Sequence, residues 1–306
     1  MPELPEVETV ARGLQASVAG RRILSVILRK TDFIDDPALI ERELPGRRIE
    51  RIERYGKFVL LLLDEADAGG TRNSPATGLL GQALLVHLGM TGNLAPNFAE
   101  QPLEKHTHVS FLLDDGRELR YTDARRFGRM AYLSGETLLA ELRRFGADPL
   151  EASREEFAVR IRSSRARIKA LLLDQSVLRG VGNIYADESL WRSKIHPATP
   201  GSRLSPQQTE TLRKALKAVL LRAIAMRGST ISDFVDTDGE PGEYQQHHRA
   251  YGREGRKCYR CGARIERVIV AGRSSHFCPS CQPAPRGGRR GMKTKKRNRP
   301  GKPSKR

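Results

Sequence analysis

The chain has 306 residues, which is enough for two domains and a small appendage. Hydrophobic residues make up 38% of it, the mean hydropathy is −0.51, and no run approaches the roughly 20 apolar residues of a membrane span, so we expect a soluble protein. The acidic N-terminus lacks an apolar segment, which argues against a secretory signal. The formal charge is +18, of which eleven charges lie in residues 283–306, and the remaining +7 fits a nucleic-acid-binding protein.

The first half of the chain passes from one helical segment to a series of short strands. Apolar residues at helical spacing predict a helix over residues 4–18. Strands are predicted over residues 23–28, 49–53, 58–63, 83–88, 109–113, 118–121 and 130–133. Asp115-Gly116 predicts a hairpin turn between two of them. Many short strands at regular spacing indicate a β-sandwich, and the Gly-, Ala- and Thr-rich residues 65–82 indicate an inserted loop.

From Leu138 onward the pattern becomes helical. Helices are predicted over residues 166–174, 183–193 and 207–226, and a mobile loop over 228–246, where turn formers replace apolar residues. We therefore expect an α+β multidomain protein. Its expected parts are a β-sandwich domain with flanking helices over 2–135, a hinge over 136–150, a helical domain over 151–248, a metal-binding hairpin over 249–282 and a disordered basic tail over 283–306.

All four cysteines lie close together, in the pattern C-x2-C-x16-C-x2-C. They are Cys258, Cys261, Cys278 and Cys281. This spacing is typical of a four-cysteine zinc ribbon, with two disulfides as the alternative. Zinc is favoured because the chain has no predicted secretory signal. Four cysteine ligands leave no open coordination position, so the zinc ion would be structural.

The second residue is a proline, which becomes a free secondary amine if Met1 is removed. Such an amine, attacking a sugar C1′, gives an iminium whose nitrogen has no proton to lose, so the adduct remains an electron sink. An α-amino group also has a lower pKa than a lysine side chain and is more often a neutral nucleophile. Glu3 and Glu6 lie beside it and can move protons. The residues alone favour another interpretation, an acidic first helical turn with early prolines.

Several separated segments resemble bacterial formamidopyrimidine-DNA glycosylases, in the family's order and over residues 2–282. They are Met-Pro-Glu-Leu-Pro-Glu-Val-Glu-Thr at 1–9, Arg-Tyr-Gly-Lys-Phe at 54–58, His-Leu-Gly-Met-Thr-Gly at 87–92, Lys-His-Thr-His-Val at 105–109, Tyr-Thr-Asp-Ala-Arg-Arg-Phe-Gly at 121–128, Arg-Gly-Val-Gly-Asn-Ile-Tyr-Ala-Asp-Glu at 179–188 and the cysteine hairpin. The insertion at 65–82 and the basic tail depart from the family pattern.

The resemblance implies a bifunctional enzyme of base excision repair, both a DNA glycosylase (a hydrolase) and an abasic-site lyase. The substrate implied is duplex DNA carrying 8-oxoguanine or a formamidopyrimidine, which flips out of the stack. Pro2 would displace the base at C1′, and β- and δ-elimination would then leave a one-nucleotide gap. Glu3 would shuttle protons, Glu6 would hold the N-terminus, and Lys57 would transfer a proton or contact a phosphate.

The resemblance also implies a set of DNA contacts. Met90, Arg125 and Phe127 would fill the gap left by the extruded base. The remaining contacts implied are His106, Arg165 at a place where the family has a DNA-binding lysine, and Asn183 in a helix–two-turn–helix element. Arg273 at the tip of the zinc hairpin is implied both as a DNA contact and as part of the catalytic set. Without the resemblance, Met90 and Phe127 are more simply assigned to core packing and Lys57 to the solvated surface. Asn183 would then lie in a tight helical hairpin without a ligand, and Arg273 at the solvated tip of a purely structural ribbon.

Two rival functions stay open at this point. One is the endonuclease VIII branch, which prefers oxidised pyrimidines but whose N-terminus departs after Pro-Glu-Gly, whereas Leu4 follows Pro2-Glu3 here. The other is a noncatalytic zinc-containing nucleic-acid-binding protein. We expect the protein to act as a monomer in the bacterial cytoplasm, associated with the nucleoid, and without a membrane partner.

Overall fold

The structure, a computed structural model, describes residues 1–64, 81–231 and 234–285. Its helices are α1 (Leu4–Val18), α2 (Pro37–Glu43), α3 (Gly135–Arg143), α4 (Arg154–Arg162), α5 (Ile168–Leu173), α6 (Asn183–Ser193) and α7 (Pro206–Ala225). Its strands are β1 (Ile23–Leu28), β2 (Ile49–Tyr55), β3 (Phe58–Leu63), β4 (Gln82–His87), β5 (Gly92–Phe98), β6 (Thr107–Leu113), β7 (Arg117–Asp123), β8 (Arg129–Ser134), β9 (Glu266–Val270) and β10 (Arg273–Phe277).

The N-terminal half is a sandwich of two four-stranded antiparallel sheets, which confirms the predicted architecture. One sheet has the order β1-β6-β7-β5 and the other β2-β3-β4-β8. Helix α1 buries Val7, Val10 and Leu14 in the same apolar core as the sheets. Burying these side chains stabilises the fold by about 2 kcal/mol each. The core therefore fixes α1, and with it the chain's first residues.

Two elements of this domain were missed by the sequence patterns. Strand β5 contains Gly92 and Pro96, which are poor strand formers, and it is tolerated because β5 lies at the edge of its sheet. Helix α2 is too short to show a helical period, but the Asp36 side chain caps it by accepting a hydrogen bond from the Leu39 amide at 3.0 Å. Residues 65–80 of the predicted insertion lie outside the described residues, while Gln82 begins β4.

The hinge predicted over residues 136–150 was wrong for its first half. Helix α3 occupies most of that half, and its Leu138 and Leu142 pack against β3 and β4 residues in a satellite core. A helix with two buried apolar residues belongs to the sandwich domain, so the connection between the domains is shorter than predicted.

The helical domain packs α4, α5, α6 and α7 around a second core. This core also contains Leu4, from the first turn of α1, whose amide donates to the Gly180 carbonyl at 2.9 Å. The N-terminus therefore contacts both domains. In the segment predicted as a loop over 228–246, a 3₁₀ turn forms at Tyr244–His247, and residues 232–233 lie outside the described residues. The predicted mobility of this loop stays a prediction.

Strands β9 and β10 form the predicted cysteine hairpin after the helical domain. Of the predicted basic tail, residues 286–306 lie outside the described residues. Within residues 1–64, 81–231 and 234–285, no helix is both long enough and apolar enough to cross a membrane.

Candidate active site and nucleic-acid interface

The residues around Pro2 are held by the helical domain. Pro2 is buried, while Met1 is 52% exposed at the rim, where it is accessible for removal. The buried Glu3 carboxylate accepts hydrogen bonds from the amides of Ile184, at 3.1 Å, and Tyr185, at 3.4 Å. These are free amides of the first turn of α6, where the helix dipole favours a negative charge. Glu3 therefore caps a helix of the other domain.

The Glu6 carboxylate is the second buried acid beside Pro2. One of its oxygens accepts from the amide of Glu3 at 2.8 Å. The other accepts from the Tyr185 hydroxyl and, at 2.6 Å, from the Ser229 amide. Burial first, and the charge of Glu3 second, raise the pKa of Glu6 to about 7. Glu6 thus joins the N-terminus, α6 and the start of the 228–246 loop.

Two glycines leave the space that these carboxylates occupy. A Cβ on Gly182 would lie 2.2 Å from Cδ of Glu3, and one on Gly228 would lie 2.6 Å from Oε1 of Glu6. Neither position tolerates a side chain without displacing a carboxylate. The second glycine of the Gly-Val-Gly-Asn segment, Gly182, is therefore explained by the approach of Glu3.

Lys57 lies in the turn between β2 and β3 and faces the same cluster. Its side chain is buried, and burial lowers its pKa, with the charge of Glu3 acting in the opposite direction and that of Arg273 lowering it further. Burial also raises the pKa of Glu3, against the charge of Lys57 and the two helix amides. Burial thus disfavours the charged form of both Glu3 and Lys57, while the charge of each favours the charged form of the other.

The two loops that carry the predicted wedge are organised by one buried carboxylate, that of Asp123. It accepts from the Thr91 hydroxyl at 2.6 Å, from the Arg125 amide at 3.1 Å and from the Gly128 amide at 3.0 Å. The Tyr121 hydroxyl donates to it at 3.2 Å. No role was predicted for Asp123, because an acid at the end of a strand, beside a polar loop, gives no sign in the sequence that it is buried.

The wedge side chains project from this frame. Met90 and Phe127 are 40% and 57% exposed, and the Arg125 guanidinium lies 4.5 Å from the Phe127 ring centroid. The two loops are in contact, because a Cβ on Gly89 would lie 2.5 Å from the Phe127 carbonyl carbon. A cavity beside Pro2 is lined by Met90 and Glu6 together with Ser229, Ile231 and Phe234. The structure thus brings the loop that carries Met90 next to the N-terminus.

The four cysteine Sγ atoms lie within 4.8 Å of one another, and none of the four is in a disulfide. A tetrahedral zinc ion with Zn–S bonds of about 2.3 Å requires this degree of clustering. The Trp191 indole and the Arg260 amide each donate to Cys258 Sγ at 3.4 Å, and such outer partners orient metal ligands. The cluster fits one structural zinc ion, and the two-disulfide alternative is wrong.

A buried ion pair attaches the hairpin to the helical domain. Lys169 and Asp187 are both fully buried, with Lys169 Nζ 2.6 Å from Asp187 Oδ1. Lys169 also donates to the Ser274 carbonyl at 2.6 Å, and Asp187 accepts from the His276 amide at 2.9 Å. These bonds fix β10 on either side of Ser275 and, through Ser274, the start of the strand at Arg273. Neither residue was predicted: Lys169 lies outside the resembling segments, and Asp187 lies within the segment 179–188 but gives no sign in the sequence of its buried partner.

The remaining predicted contacts differ in how firmly the structure places them. Asn183 begins α6, and its Oδ1 is buried without a hydrogen-bond partner in the part of the chain that the structure describes. His106 is half-buried, with its ring 6.4 Å from that of His108. Arg165 is exposed between α4 and α5, and no described hydrogen bond joins it to the cluster around Pro2. The DNA roles of these residues stay predictions.

Comparisons with known proteins agree with this arrangement. The formamidopyrimidine-DNA glycosylase N-terminal domain matches residues 1–130, the formamidopyrimidine-DNA glycosylase H2TH domain matches 145–235, and a zinc finger found in FPG and IleRS matches 255–284. A formamidopyrimidine-DNA glycosylase of Herpetosiphon aurantiacus is 42% identical over 287 residues, which cover 92% of this chain and 100% of the relative.

Solved structures from Lactococcus lactis are also similar. An FPG variant in complex with DNA containing Fapy-dG has a TM-score of 0.82 and 32% identity, with 92% of this chain and 100% of that chain covered. Wild-type FPG in complex with DNA containing an oxidised pyrimidine has a TM-score of 0.80 and 33% identity over the same shares.

The sandwich, the helix-capping N-terminus and the zinc hairpin define a DNA glycosylase of base excision repair. More specifically, the chain belongs to the formamidopyrimidine-DNA glycosylase family, as its three domain matches and the extent of its identity to the relative show.

Proposed function

We propose that the protein excises oxidised purines, 8-oxoguanine and formamidopyrimidines, from duplex DNA and then cleaves the strand at the resulting abasic site. The observation that carries this proposal is the burial of Glu3, Glu6 and Lys57, with Glu6 bonded to the amide of the residue after Pro2 and lining the same cavity as Pro2. Ionisable groups that are buried and perturbed beside a free amine are typical of a reacting centre, and a protein that only binds DNA does not require them next to its N-terminus.

In this mechanism the Pro2 nitrogen, freed by removal of Met1, forms a bond to C1′ as the bond from C1′ to the base breaks. The base leaves with a proton. The sugar ring opens to an iminium, which withdraws electrons and acidifies the C2′ hydrogens. Loss of one of these protons expels the 3′ phosphate, and a second elimination expels the 5′ phosphate, which leaves a one-nucleotide gap.

The other residues of the site transfer protons, hold the N-terminus or bind phosphates. Glu3, with Lys57 beside it, carries protons to and from the reacting sugar. Glu6 holds the residue that follows Pro2. Arg273 and Asn183 bind the phosphates that flank the extruded nucleotide. The zinc ion stabilises the hairpin that carries Arg273 and takes no part in the chemistry.

The extruded base leaves a hole that Met90, Arg125 and Phe127 fill, with His106 and Arg165 on the DNA backbone. All of these groups come from one chain, so we propose that the protein acts as a monomer. Its place is the bacterial cytoplasm, at the nucleoid, since its substrate is chromosomal DNA and the relative named above is bacterial.

The experiment is single-turnover cleavage of matched duplexes with 8-oxoguanine, a formamidopyrimidine, an oxidised pyrimidine or no lesion. We expect the two purine lesions to be cleaved fastest. Preferential cleavage of the oxidised pyrimidine would assign the protein to the endonuclease VIII type of specificity. Absence of cleavage on every duplex, with DNA binding retained, would make it a noncatalytic binding protein.

A further inference from the structure

His248 is a buried residue to which the mechanism above gives no role. Its Nε2 lies 3.1 Å from the Ser229 hydroxyl oxygen. The Ser229 amide in turn donates to Glu6 at 2.6 Å, and the same hydroxyl oxygen lies 3.4 Å from the Tyr185 hydroxyl. A continuous hydrogen-bonded chain therefore runs from His248 through Ser229 to the carboxylate that holds the N-terminus.

The surroundings of His248 keep it neutral and fixed. Its ring packs edge-on against the rings of Tyr244, at 5.7 Å between centroids, and Tyr251, at 5.5 Å. Burial, and to a smaller extent the charge of the neighbouring His247, lower the pKa of His248 to about 4. A neutral imidazole keeps a hydrogen bond to a hydroxyl in either tautomer, because each ring nitrogen then either donates or accepts.

Ser229 begins the wall of the cavity beside Pro2. Ser229 and Ile231 line this cavity together with Pro2 and Glu6. Just before Ser229, Gly228 adopts φ +80° and leaves no room for a side chain against Glu6. The chain therefore turns sharply at Gly228, and its direction after the turn depends on what holds Ser229.

We propose that His248 is a positioning residue, which holds Ser229 against Glu6 and so fixes the wall of the cavity that receives the extruded base. This inference rests on the proposed function. An extruded base needs that wall, whereas a preformed abasic site has no base to accommodate. Without His248, Glu6 keeps its bonds from the Glu3 amide and the Tyr185 hydroxyl, so the N-terminus stays in place. The loss of His248 should therefore affect base excision and leave strand incision at an abasic site nearly unchanged.

The test compares His248→Leu, which removes the hydrogen bond, with His248→Gln, whose amide can restore it. We expect His248→Leu to lower kcat/KM on an 8-oxoguanine duplex by about tenfold, as for one buried hydrogen bond. Incision of an abasic duplex should change by less than about twofold, and His248→Gln should recover most of the excision activity. His247→Leu is the matched control, because His247 is the adjacent histidine and contacts the exposed Arg222 rather than Ser229.

A double-mutant comparison shows whether His248 acts through Ser229. If it does, adding Ser229→Ala to His248→Leu should cost no more than about twofold beyond the single change. Multiplicative losses, equal losses on the two substrates, no loss at all or failure of His248→Gln to recover excision would each overturn the proposal. A wild-type protein inactive on both duplexes would instead refute the proposed function, so the two failures are distinguishable.

Discussion

Glu3 accepts a hydrogen bond at 3.1 Å from the amide of Ile184, a residue 181 positions away and in the other domain. The residue next to the proposed nucleophile is thereby fastened to the first turn of α6. Leu4 strengthens this attachment through its bond to the Gly180 carbonyl. The position of Pro2 therefore depends on how the sandwich and the helical domain pack together.

Replacement of Gly182 by alanine tests this attachment. The backbone at Gly182 has φ −130°, which alanine adopts freely, so the only conflict is the contact of 2.2 Å between the added Cβ and Glu3. We expect Gly182→Ala to lower both base excision and abasic-site incision at least about 100-fold, because displacing a reacting group by an ångström has that effect.

The control for this variant is Gly81→Ala, since a Cβ at Gly81 meets nothing within 4 Å. It should retain wild-type rates. Single-turnover assays on both duplexes, with thermal melting to confirm the fold, measure the effect. A fully active Gly182→Ala variant would show that Glu3 does not need its place at the end of α6.

The raised pKa of Glu6 predicts a pH dependence of stability. Burial, followed by the charge of Glu3, raises its pKa in the folded state to about 7. A carboxyl group with a raised folded-state pKa binds its proton more tightly when folded, so this stabilisation is complete at low pH and is lost as the pH rises to about 7. Between pH 4 and 8 the wild-type free energy of unfolding should therefore fall by about 1–3 kcal/mol more than that of Glu6→Gln.

Denaturant unfolding of the two proteins at several pH values measures this difference. For the control Glu100→Gln, at an exposed position, the free energy of unfolding should change with pH in the same way as that of the wild type. If the Glu6→Gln curve also runs parallel to wild type, Glu6 does not titrate in this range.

The sequence was enough to predict elements whose signals are local. Helix α6 begins and ends at the predicted residues, because Gly182 interrupts the chain before it and Lys194 ends it in a left-handed conformation. Strand β5 was missed because only its position at the sheet edge makes Pro96 acceptable. Local patterns carry no information about the partner strand.

The residues proposed to react or to bind DNA could be named from the sequence, but the residues that hold them in place could not. The resemblance named Glu3 and Lys57, and both side chains are buried in the structure, with Glu3 next to Pro2 in the chain. The supports are Asp123, Lys169 and Ser229, whose importance comes from burial and from contacts with distant segments. Neither burial nor a contact with a distant segment can be recognised from the sequence around a polar residue.

The zinc hairpin is expected to matter for binding through Arg273. Arg273→Ala should weaken binding to a lesion duplex by about 1–3 kcal/mol, as for a lost charged hydrogen bond, and should reduce the salt slope by about one. Cys278→Ser should release the zinc ion and produce a similar loss. Fluorescence anisotropy at several salt concentrations, with metal analysis, measures both effects.

Arg256 provides the comparison for Arg273, because it is an exposed arginine in the same module, away from the hairpin tip. Arg256→Ala should bind nearly as tightly as wild type. Unchanged affinity in a zinc-free but folded Cys278→Ser protein would separate the hairpin from DNA binding.

Met90 and Phe127 are expected to act on the gap in the duplex rather than on the chemistry. Unstacking a base costs a few kcal/mol, and side chains that fill the hole lower that cost. Met90→Ala and Phe127→Ala should therefore reduce excision of a paired lesion at least about tenfold more than incision of a preformed abasic site. Single-turnover assays on the two duplexes give this ratio.

A core-packing role for the same residues predicts a different result, namely equal losses on both substrates together with a lower melting temperature. Phe98, which is 63% exposed at the end of β5, is the matched aromatic control. Phe98→Ala should leave the ratio of excision to incision unchanged. Equal losses in Met90→Ala or Phe127→Ala would assign that residue to packing.

The central claim is that the nitrogen of residue 2 forms the covalent bond to the sugar. Borohydride reduces an iminium to a stable amine, so incubating the protein with an 8-oxoguanine duplex and borohydride should trap the adduct. Peptide mapping by mass spectrometry should find Met1 absent and the sugar attached to Pro2. An adduct on Lys57, the buried lysine of the proposed site, would contradict the account.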